Sequence, residues 1–150
     1  MISKYEVFSS SIASIYRAIQ KIERTEMAKF GLKGPHAQCL LAMSRFPDGI
    51  TAAQLCELCE KDKAAISRTA AELEECGLVL RVERNGMRYR SRLTLTEAGR
   101  TAANAVSEKA HQAVEQAGAG LDEERRQIFY HVLALIAGNI TAISRDGIKE

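Results

Sequence analysis

The fold of this chain is decided by residues 51–68, TAAQLCELCEKDKAAISR, together with residues 84–92, RNGMRYRSR. The first stretch predicts a short capped helix, a tight turn and a second helix, which ends at Gly77. The second stretch predicts a β-hairpin that carries several arginines. A helix-turn-helix followed by a basic hairpin is the outline of a winged helix-turn-helix, a module that places one helix in the major groove of DNA.

The residue types at the helix ends agree with this outline. Thr51 and Gln54 fit a capping box, in which each side chain bonds the free backbone N–H of the other residue. Asp62 is a good N-cap for the second helix, and a carboxylate there also suits the helix dipole. The inward stripe of that helix follows from steps of four and three residues and consists of Ile66, Ala70 and Leu73.

The residues off this stripe carry the polar chemistry. Lys63, Ser67 and Arg68 are expected to face outward, toward whatever this helix binds. The hairpin is basic, because from Arg81 to Arg92 there are five arginines and one glutamate, a local charge of +4. Such a concentration of charge is the electrostatic footprint of a phosphate-binding element.

The hairpin follows a period of two residues. Asn85 and Gly86 predict a type I′ turn, whose central residues need a positive φ. The alternation predicts an apolar face on the outgoing strand, formed by Leu78, Leu80 and Val82. One face of the return strand is mixed and carries Tyr89, Ser91, Leu93 and Leu95. The other face of the return strand is basic and carries Arg88, Arg90, Arg92 and Thr94. Like charges in register repel each other, so the basic face favours a polyanionic partner.

Composition limits the class of protein. A chain of 150 residues with 46% apolar and 27% charged residues is typical of one globular domain. Its purely apolar runs are short, so we expect no segment that spans a bilayer, and the N-terminus has no signal-peptide layout. The expected location is the cytoplasm.

Long helices flank the predicted helix-turn-helix. Helical periodicity predicts helices over residues 3–30, 35–46, 97–117 and 122–144. The long ones carry apolar stripes with no sheet or further domain in the sequence to cover them. A second copy of the chain, related by a two-fold axis, is the simplest cover.

The predicted fold class is therefore mainly α with a small β-hairpin wing. We expect a single domain over residues 1–150. Within it, residues 35–96 form the winged helix-turn-helix, and residues 1–34 and 97–150 form the dimerisation helices.

These segments resemble the MarR (multiple antibiotic resistance regulator) family of bacterial transcription regulators over nearly the whole chain. The motifs that match are LCELC at 55–59 with DKAAISR at 62–68, LEECGLV at 73–79, and LTEAG at 95–99. The resemblance implies a homodimer that binds a roughly palindromic operator in double-stranded DNA. It also implies a repressor, or sometimes an activator, that responds to a small ligand or to oxidation.

The resemblance further implies which residues contact DNA. Lys63, Ser67 and Arg68 would lie on bases or adjacent phosphates, and the helix end at Thr51 would bind phosphate through its free N–H groups. The wing would contribute Arg84, Arg88, Arg90 and Arg92. A ligand pocket is expected between the dimerisation helices and the winged helix-turn-helix, with its ligand and lining residues left open.

Two positions depart from the family pattern. The wing of the family carries Asp-x-Arg where this chain has Met87 and Tyr89, so the arginine that enters the minor groove is displaced to Arg88 or Arg90. The turn between the two helices often holds Gly in the family and holds Glu60 here. An acidic residue near the DNA-binding face weakens non-specific binding.

The cysteines admit two interpretations. Cys56 and Cys59 form a C-x-x-C pattern, which suggests thiol redox chemistry or a metal. Both stand where the family motif has small or buried apolar residues, which favours packing as small hydrophobes. Cys39 and Cys76 stand alone in the sequence. A thiol-based redox regulator of the same fold remains the alternative.

Other chemistry is not indicated. His36, His111 and His131 lie far apart in the sequence, so neither a metal nor a cofactor is predicted. No Gly-rich phosphate loop, nucleophile elbow or HExxH helix occurs, so the chain is not predicted to be an enzyme. A winged helix used only for protein–protein contact is the remaining alternative, and the basic wing argues against it.

Overall fold

The computed structural model describes the backbone of residues 1–84 and 87–150 and the side chains of residues 1–83 and 91–150. Along these residues the elements are α1 (Lys4–Ala28), α2 (Gly34–Ser44), α3 (Ala52–Cys59), α4 (Lys63–Glu75), β1 (Val79–Arg84), β2 (Met87–Leu95), α5 (Glu97–Ala117) and α6 (Glu123–Asp146). The predicted fold class is confirmed. The chain divides into two compact units, Met1–Gln112 and Ala113–Glu150.

The predicted caps of α3 and α4 are present. The N–H of Gln54 donates to Oγ1 of Thr51 at 3.2 Å, and the N–H of Thr51 donates to Oε1 of Gln54 at 3.0 Å. The N–H of Ala65 donates to Oδ1 of Asp62 at 2.7 Å. These bonds satisfy N–H groups that a helix start leaves without an intrahelical partner, so α3 and α4 begin where the sequence predicts.

The end of α4 determines where the wing begins. Gly77 has a φ of +74°, and the N–H of Leu78 donates to the carbonyl oxygen of Leu73 at 2.9 Å. This is the pattern of a Schellman cap. Leu78 is buried as part of that cap, and β1 starts one residue later, at Val79.

The prediction that Leu78, Leu80 and Val82 share one strand face is therefore wrong for Leu78, which precedes β1, and holds for Leu80 and Val82. Leu78 belongs to the helix cap, whereas Leu80 is 58% and Val82 is 54% exposed. The inward apolar residue of β1 is Val79, which is only 2% exposed. On β2, Leu93 is buried as the alternation predicts.

The two strands pair antiparallel, with Val79 opposite Leu95 and Arg81 opposite Leu93. The predicted Asn85–Gly86 turn lies outside the described residues. A further bridge joins the wing to the loop before α3: Ile50 donates to and accepts from Leu93 at 3.0 Å and 2.8 Å. This bridge fixes the root of the wing against the helix-turn-helix.

The core of the Met1–Gln112 unit draws on α1 to α5 and on the wing. Its largest fully buried side chains are Met27, Leu40, Met43, Ile50, Leu55, Ile66, Leu73, Val79, Leu93 and Val106. Five of the six helices, α1 to α5, place side chains in this list, so the helix-turn-helix is packed as one body with α1 and α5.

The last helix is different, since none of its residues is buried. Its exposed large apolar residues are Ile128, Phe129, Tyr130, Val132, Leu133, Leu135, Ile136, Ile140 and Ile143. By length and composition α6 could cross a membrane, so the expectation that no segment could do so is wrong. The expectation rested on the short length of the purely apolar runs, which polar residues of α6 such as His131 and Asn139 interrupt. No Asp, Glu, Lys or Arg lies between Gln127 and Ser144, however, so the stretch as a whole is uncharged apart from His131.

The left-handed backbone conformation of Glu60 can be tested by substitution. It has φ 51° and ψ 43°, and among the described residues it is the one non-glycine with a positive φ. A left-handed conformation costs an L-residue roughly 1–2 kcal/mol, so we expect Glu60→Gly to raise the free energy of unfolding by about 1 kcal/mol after the greater flexibility of glycine in the unfolded chain is counted. Denaturant unfolding measures this difference.

Two controls separate the backbone from the side chain. Glu60→Ala removes the carboxylate but keeps Cβ, and we expect no comparable gain. Glu57→Gly, at an exposed position inside α3, should lower the free energy of unfolding by about 1 kcal/mol. Equal stability of Glu60→Gly and Glu60→Ala would contradict this account.

Candidate nucleic-acid interface

The exposed face of α4 has the composition that the sequence predicts. Lys63, Ser67 and Arg68 are all exposed. The opposite side of the helix is buried through Ile66, Ala70 and Leu73, and Leu73 is 0% exposed. The apolar stripe therefore turns two cations and a hydroxyl, the groups that hydrogen-bond to bases and phosphates, toward solvent.

Two side-chain bonds hold α4 from its flanks. Glu72 lies 2.6 Å from Nε2 of His36 on α2, and Glu74 accepts from Nε of Arg81 on β1 at 2.7 Å. Residues two apart on a helix point about 200° from each other. The helix is thus fixed on one side to α2 and on the other side to the wing.

The bond to His36 is well satisfied at both ring nitrogens. The N–H of Lys33 donates to Nδ1 at 2.9 Å, so a ring proton is assigned to Nε2, which donates to Glu72. His36 is 5% exposed. No sequence pattern identified this pair, because its members are distant in the chain. His36 thus acts as a structural link between α2 and α4.

The guanidinium of Arg81 bonds to other side chains of the fold. Besides Glu74, it donates from Nη1 to Oγ of Ser91 at 3.1 Å, and Ser91 is buried. Arg81 is one of the five arginines that give residues 81–92 their basic charge. Its charge is instead paired with Glu74, so the positive charge that the wing offers to a partner is smaller than the count suggested.

Arg92 is also partly engaged. It is half-buried, and its Nη1 donates to the carbonyl oxygen of Gly49 at 3.4 Å. Gly49 has a φ of +101°, and a Cβ built on it would lie 2.9 Å from Cβ of Arg92. Close packing of this kind needs glycine, so Arg92 supports the loop before α3, and its contact with DNA stays a prediction from the sequence.

The remaining predicted contacts divide into two groups. Thr51 is half-buried at the start of α3, and its hydroxyl oxygen is already used as the cap acceptor. Its hydroxyl proton is not consumed by that cap. The side chains of Arg84, Arg88 and Arg90 lie outside the described residues, so their contacts stay predictions from the sequence.

Two cysteine thiols lie close together where α2 packs against the end of α3. Cys39 in α2 and Cys59 at the end of α3 share a side-chain hydrogen bond. This bond, together with the positive charges of Lys61 and Arg45, lowers the pKa of Cys59 to about 7. Burial opposes the shift, since it raises the pKa. The same bond, followed by burial, raises the pKa of Cys39 far above its usual range.

The pairing differs from the C-x-x-C pattern. Cys56 and Cys59 are both partly buried and pack against the core, as the packing interpretation predicts. The partner that shares a hydrogen bond with Cys59 is nevertheless Cys39, which stood alone in the sequence. Two residues on different helices meet only in the folded chain, so spacing could not identify this pair. Among the described residues, no group of three or more His, Cys, Asp or Glu could hold a metal ion.

Cys59 also lines a cavity of about 610 Å³. The cavity lies among α1, α2, the α3–α4 turn and α5, and its polar lining includes Tyr16, Gln38, Arg45, Glu60, Lys61 and Ser107. This volume is within the range of small-molecule sites, roughly 300–1,000 Å³. Basic and acidic groups both face it.

The sequence model described as MarR family matches residues 30–87, from the loop after α1 to the first residue of β2. The match therefore includes α2, α3, α4 and β1. No curated protein matches the sequence at a significant level.

Solved structures share the fold over most of the chain. A MarR-family transcriptional regulator from Silicibacter pomeroyi is 23% identical, with a TM-score of 0.77 and 93% of each chain covered. A MarR regulator from Methanosarcina mazei Go1 is 22% identical, with a TM-score of 0.81, covering 92% of this chain and 99% of that one. A MarR protein from Peptoclostridium difficile is 18% identical, with a TM-score of 0.81, covering 93% and 92%. The resemblance drawn from the sequence is confirmed, and the prediction that the chain is not an enzyme agrees with it.

Proposed function

We propose that this chain, with its MarR-type fold and MarR-family helix-turn-helix, is a cytoplasmic, homodimeric repressor that binds a pseudo-palindromic operator. The observation that carries the proposal is the exposed face of α4, where Lys63, Ser67 and Arg68 stand on a helix fixed from three directions. A rigid helix with base-reading side chains is what major-groove recognition requires.

The start of α4 and the start of α3 supply the phosphate contacts. Lys63 is the first residue of α4, where a cation offsets the negative charge of the Asp62 cap. Thr51 stands at the N-terminus of α3, where the helix dipole and the hydroxyl favour an anion. These contacts fix the register, and Ser67 and Arg68 read bases.

The wing supplies a second set of DNA contacts. Arg81 belongs to the fold and Arg92 supports the loop before α3. The minor-groove contact is therefore assigned to Arg88 or Arg90, with Arg84 on the adjacent backbone. The basic charge of this segment supports the assignment.

The homodimer is supported by apolar surface on two helices. No residue of α6 is buried, and α1 exposes Tyr5, Val7, Phe8, Ile12, Ile15 and Tyr16. Exposed apolar side chains in such numbers along a helix mark an interface. A lipid bilayer is a poor partner for α1, because Glu6, Arg17 and Lys21 interrupt its sequence. A second copy of the chain covers both helices with one kind of contact.

Relief of repression is assigned to the cavity of about 610 Å³. It lies between α1, which belongs to the dimerisation part, and the α3–α4 turn, which positions α4. A small molecule bound there changes the position of α4 in each subunit and thus the distance between the two recognition helices. Arg45 and Lys61 favour an anionic effector.

The DNA contacts are tested by salt dependence on the promoter region of the chain's own gene. Each lost phosphate contact reduces the log–log slope of binding against salt by roughly one. We expect Arg68→Ala and Arg88→Ala to weaken binding, and the slope to fall where the arginine contacts phosphate. Arg81→Ala should weaken binding without changing the slope, because Arg81 positions the wing and contacts Glu74 instead of phosphate.

Arg125→Ala is the matched control, since Arg125 is an exposed arginine of α6. Its binding curve should coincide with that of the wild type. If Arg68→Ala and Arg88→Ala both bind as the wild type does, with no dependence on salt, the DNA-binding function is wrong.

The dimer is tested by Leu135→Glu in α6. Leu135 is 56% exposed in the single chain, so a carboxylate there costs an isolated chain little. In a dimer it would be buried without a partner, which costs several kcal/mol. We expect sedimentation equilibrium to show a dimer for the wild type and for Gln127→Glu, and a folded monomer for Leu135→Glu. A monomeric wild type, or one that needs detergent to stay in solution, would refute the proposal.

A further inference from the structure

Arg68 has one acidic neighbour on the surface of its own helix. Residues three and four positions apart are neighbours on a helix, and opposite charges at that spacing attract each other. The residues at these distances from Arg68 are Ala64, Ala65, Ala71 and Glu72. Glu72 is therefore the acid of α4 that would pair with Arg68 if its carboxylate were not already bonded.

The carboxylate of Glu72 bonds across to another helix. Arg68 and Glu72 both line a cavity of about 270 Å³, and His36 of α2 lines it with them. The carboxylate lies 2.6 Å from Nε2 of His36. In the part of the chain that the structure describes, no ion pair includes Arg68. Glu72 thus faces the same space as Arg68 and is held by the histidine.

His36 is the fixed member of this contact. Its side chain is 6% exposed, whereas that of Glu72 is 44% exposed. The N–H of Lys33 donates to Nδ1 at 2.9 Å, which sets the orientation of the ring and turns Nε2 toward α4. Without the ring N–H, the half-exposed carboxylate could take another rotamer and another partner.

We propose that His36 is a positioning residue for DNA binding that acts through Glu72: it holds the carboxylate away from Arg68 and keeps the guanidinium available for DNA. A carboxylate can occupy two of the N–H donors of an arginine. Such a pair has to break before the same donors can bind a base or a phosphate. The effect on DNA affinity rests on the proposed function, whereas the competition for Glu72 does not.

Two lysines also border the cavity. Lys33 and Lys61 line it and are exposed, so each is a candidate partner for a released carboxylate. Arg68 is favoured over both, because it lies one turn away on the same helix and its planar guanidinium matches a carboxylate at two points. A lysine partner would leave Arg68 unchanged, and the experiment separates the two cases.

The first measurement is a DNA titration of the full-length His36→Leu variant on the promoter region of the chain's own gene. Leucine has a similar volume and no ring N–H. We expect affinity to fall by about twofold to fivefold, because a pair at this helical spacing must be broken in each of two subunits. Unfolding curves confirm that the variant is folded, and His36→Met, which adapts its shape more readily, replaces it if it is not.

Second substitutions distinguish this role from a general loosening of α4. Adding His36→Leu to Glu72→Gln should change affinity little, because no carboxylate remains to occupy Arg68. Adding it to Arg68→Ala should also change affinity little. If His36 only holds α4 in place, His36→Leu weakens binding by the same factor in all three backgrounds, and that result rejects the proposal.

A conservative variant supplies the matched control. Glutamine is a usual residue at the third position of a capping box. In His36→Gln, Oε1 can accept from the N–H of Lys33 while Nε2 donates to Glu72. This variant should retain most of the affinity that His36→Leu loses. Equal losses for His36→Gln and His36→Leu would show that the bond to Glu72 is not what matters.

A second readout needs no DNA. Phenylglyoxal modifies arginine side chains, and a guanidinium paired with a carboxylate reacts more slowly than a solvated one. Peptide mass spectrometry should show Arg68 modified up to about twofold more slowly in His36→Leu than in the wild type, and at the wild-type rate once Glu72→Gln is added. Arg125, exposed on α6, should react equally in all variants.

The two readouts separate the ways in which the inference can fail. Unchanged modification of Arg68 in His36→Leu rejects the competition for Glu72, whatever happens to DNA binding. Slower modification with unchanged DNA affinity rejects the effect on binding. A wild type that binds no DNA at low salt rejects the proposed function, and the modification rates then still decide whether His36 and Arg68 compete.

Discussion

The position of α4 is the constraint on which the rest of this structure depends. An apolar stripe seats the helix on the core, and Glu72 and Glu74 bind His36 and Arg81 on its two flanks. The stripe alone would leave the helix free to rotate slightly or slide. With both flanks bonded, the outward direction of Lys63, Ser67 and Arg68 is determined by the fold and not by the partner. A recognition helix that is ordered before binding loses less conformational entropy on the DNA.

The same constraint explains why the wing and the turn matter. Arg81 and the Ile50–Leu93 bridge tie the wing to α4 and to the loop before α3. At the other end, α4 is preceded by a turn that contains a strained Glu60 and follows Cys59 directly. The turn is thus the place where a bound molecule would shift α4. The cavity of about 610 Å³ is lined by its residues Glu60 and Lys61. In a dimer, a small shift in each subunit changes the separation of the two recognition helices, and a palindromic site detects that change.

Local chemistry was predictable from the sequence. The capping box of Thr51 and Gln54, the Asp62 cap and the Gly77 terminus depend on residues a few positions apart, and all three are present. Contacts between distant segments were not predictable. The His36–Glu72 bond, the Arg81–Glu74 pair and the Cys39–Cys59 pair require the fold before their members can meet.

The wing and α6 show two further limits of sequence patterns. In the wing, a period of two assigned Leu78 to one strand face with Leu80 and Val82, whereas Leu78 belongs to the α4 cap and β1 begins at Val79. In α6, the search for uninterrupted apolar runs missed a long stretch without charged residues. The proposed dimer gives that stretch a protein partner, and the contacts of the wing arginines with DNA remain predictions.

The most direct measurement of the central claim is selection of binding sites by the purified chain from random double-stranded DNA, followed by sequencing. If two copies of α4 read one operator, the enriched sequences form an inverted repeat whose half-site centres are about one helical turn, or a multiple of it, apart. Enrichment of a single unpaired half-site, or no enrichment over the starting pool at moderate salt, would contradict the account.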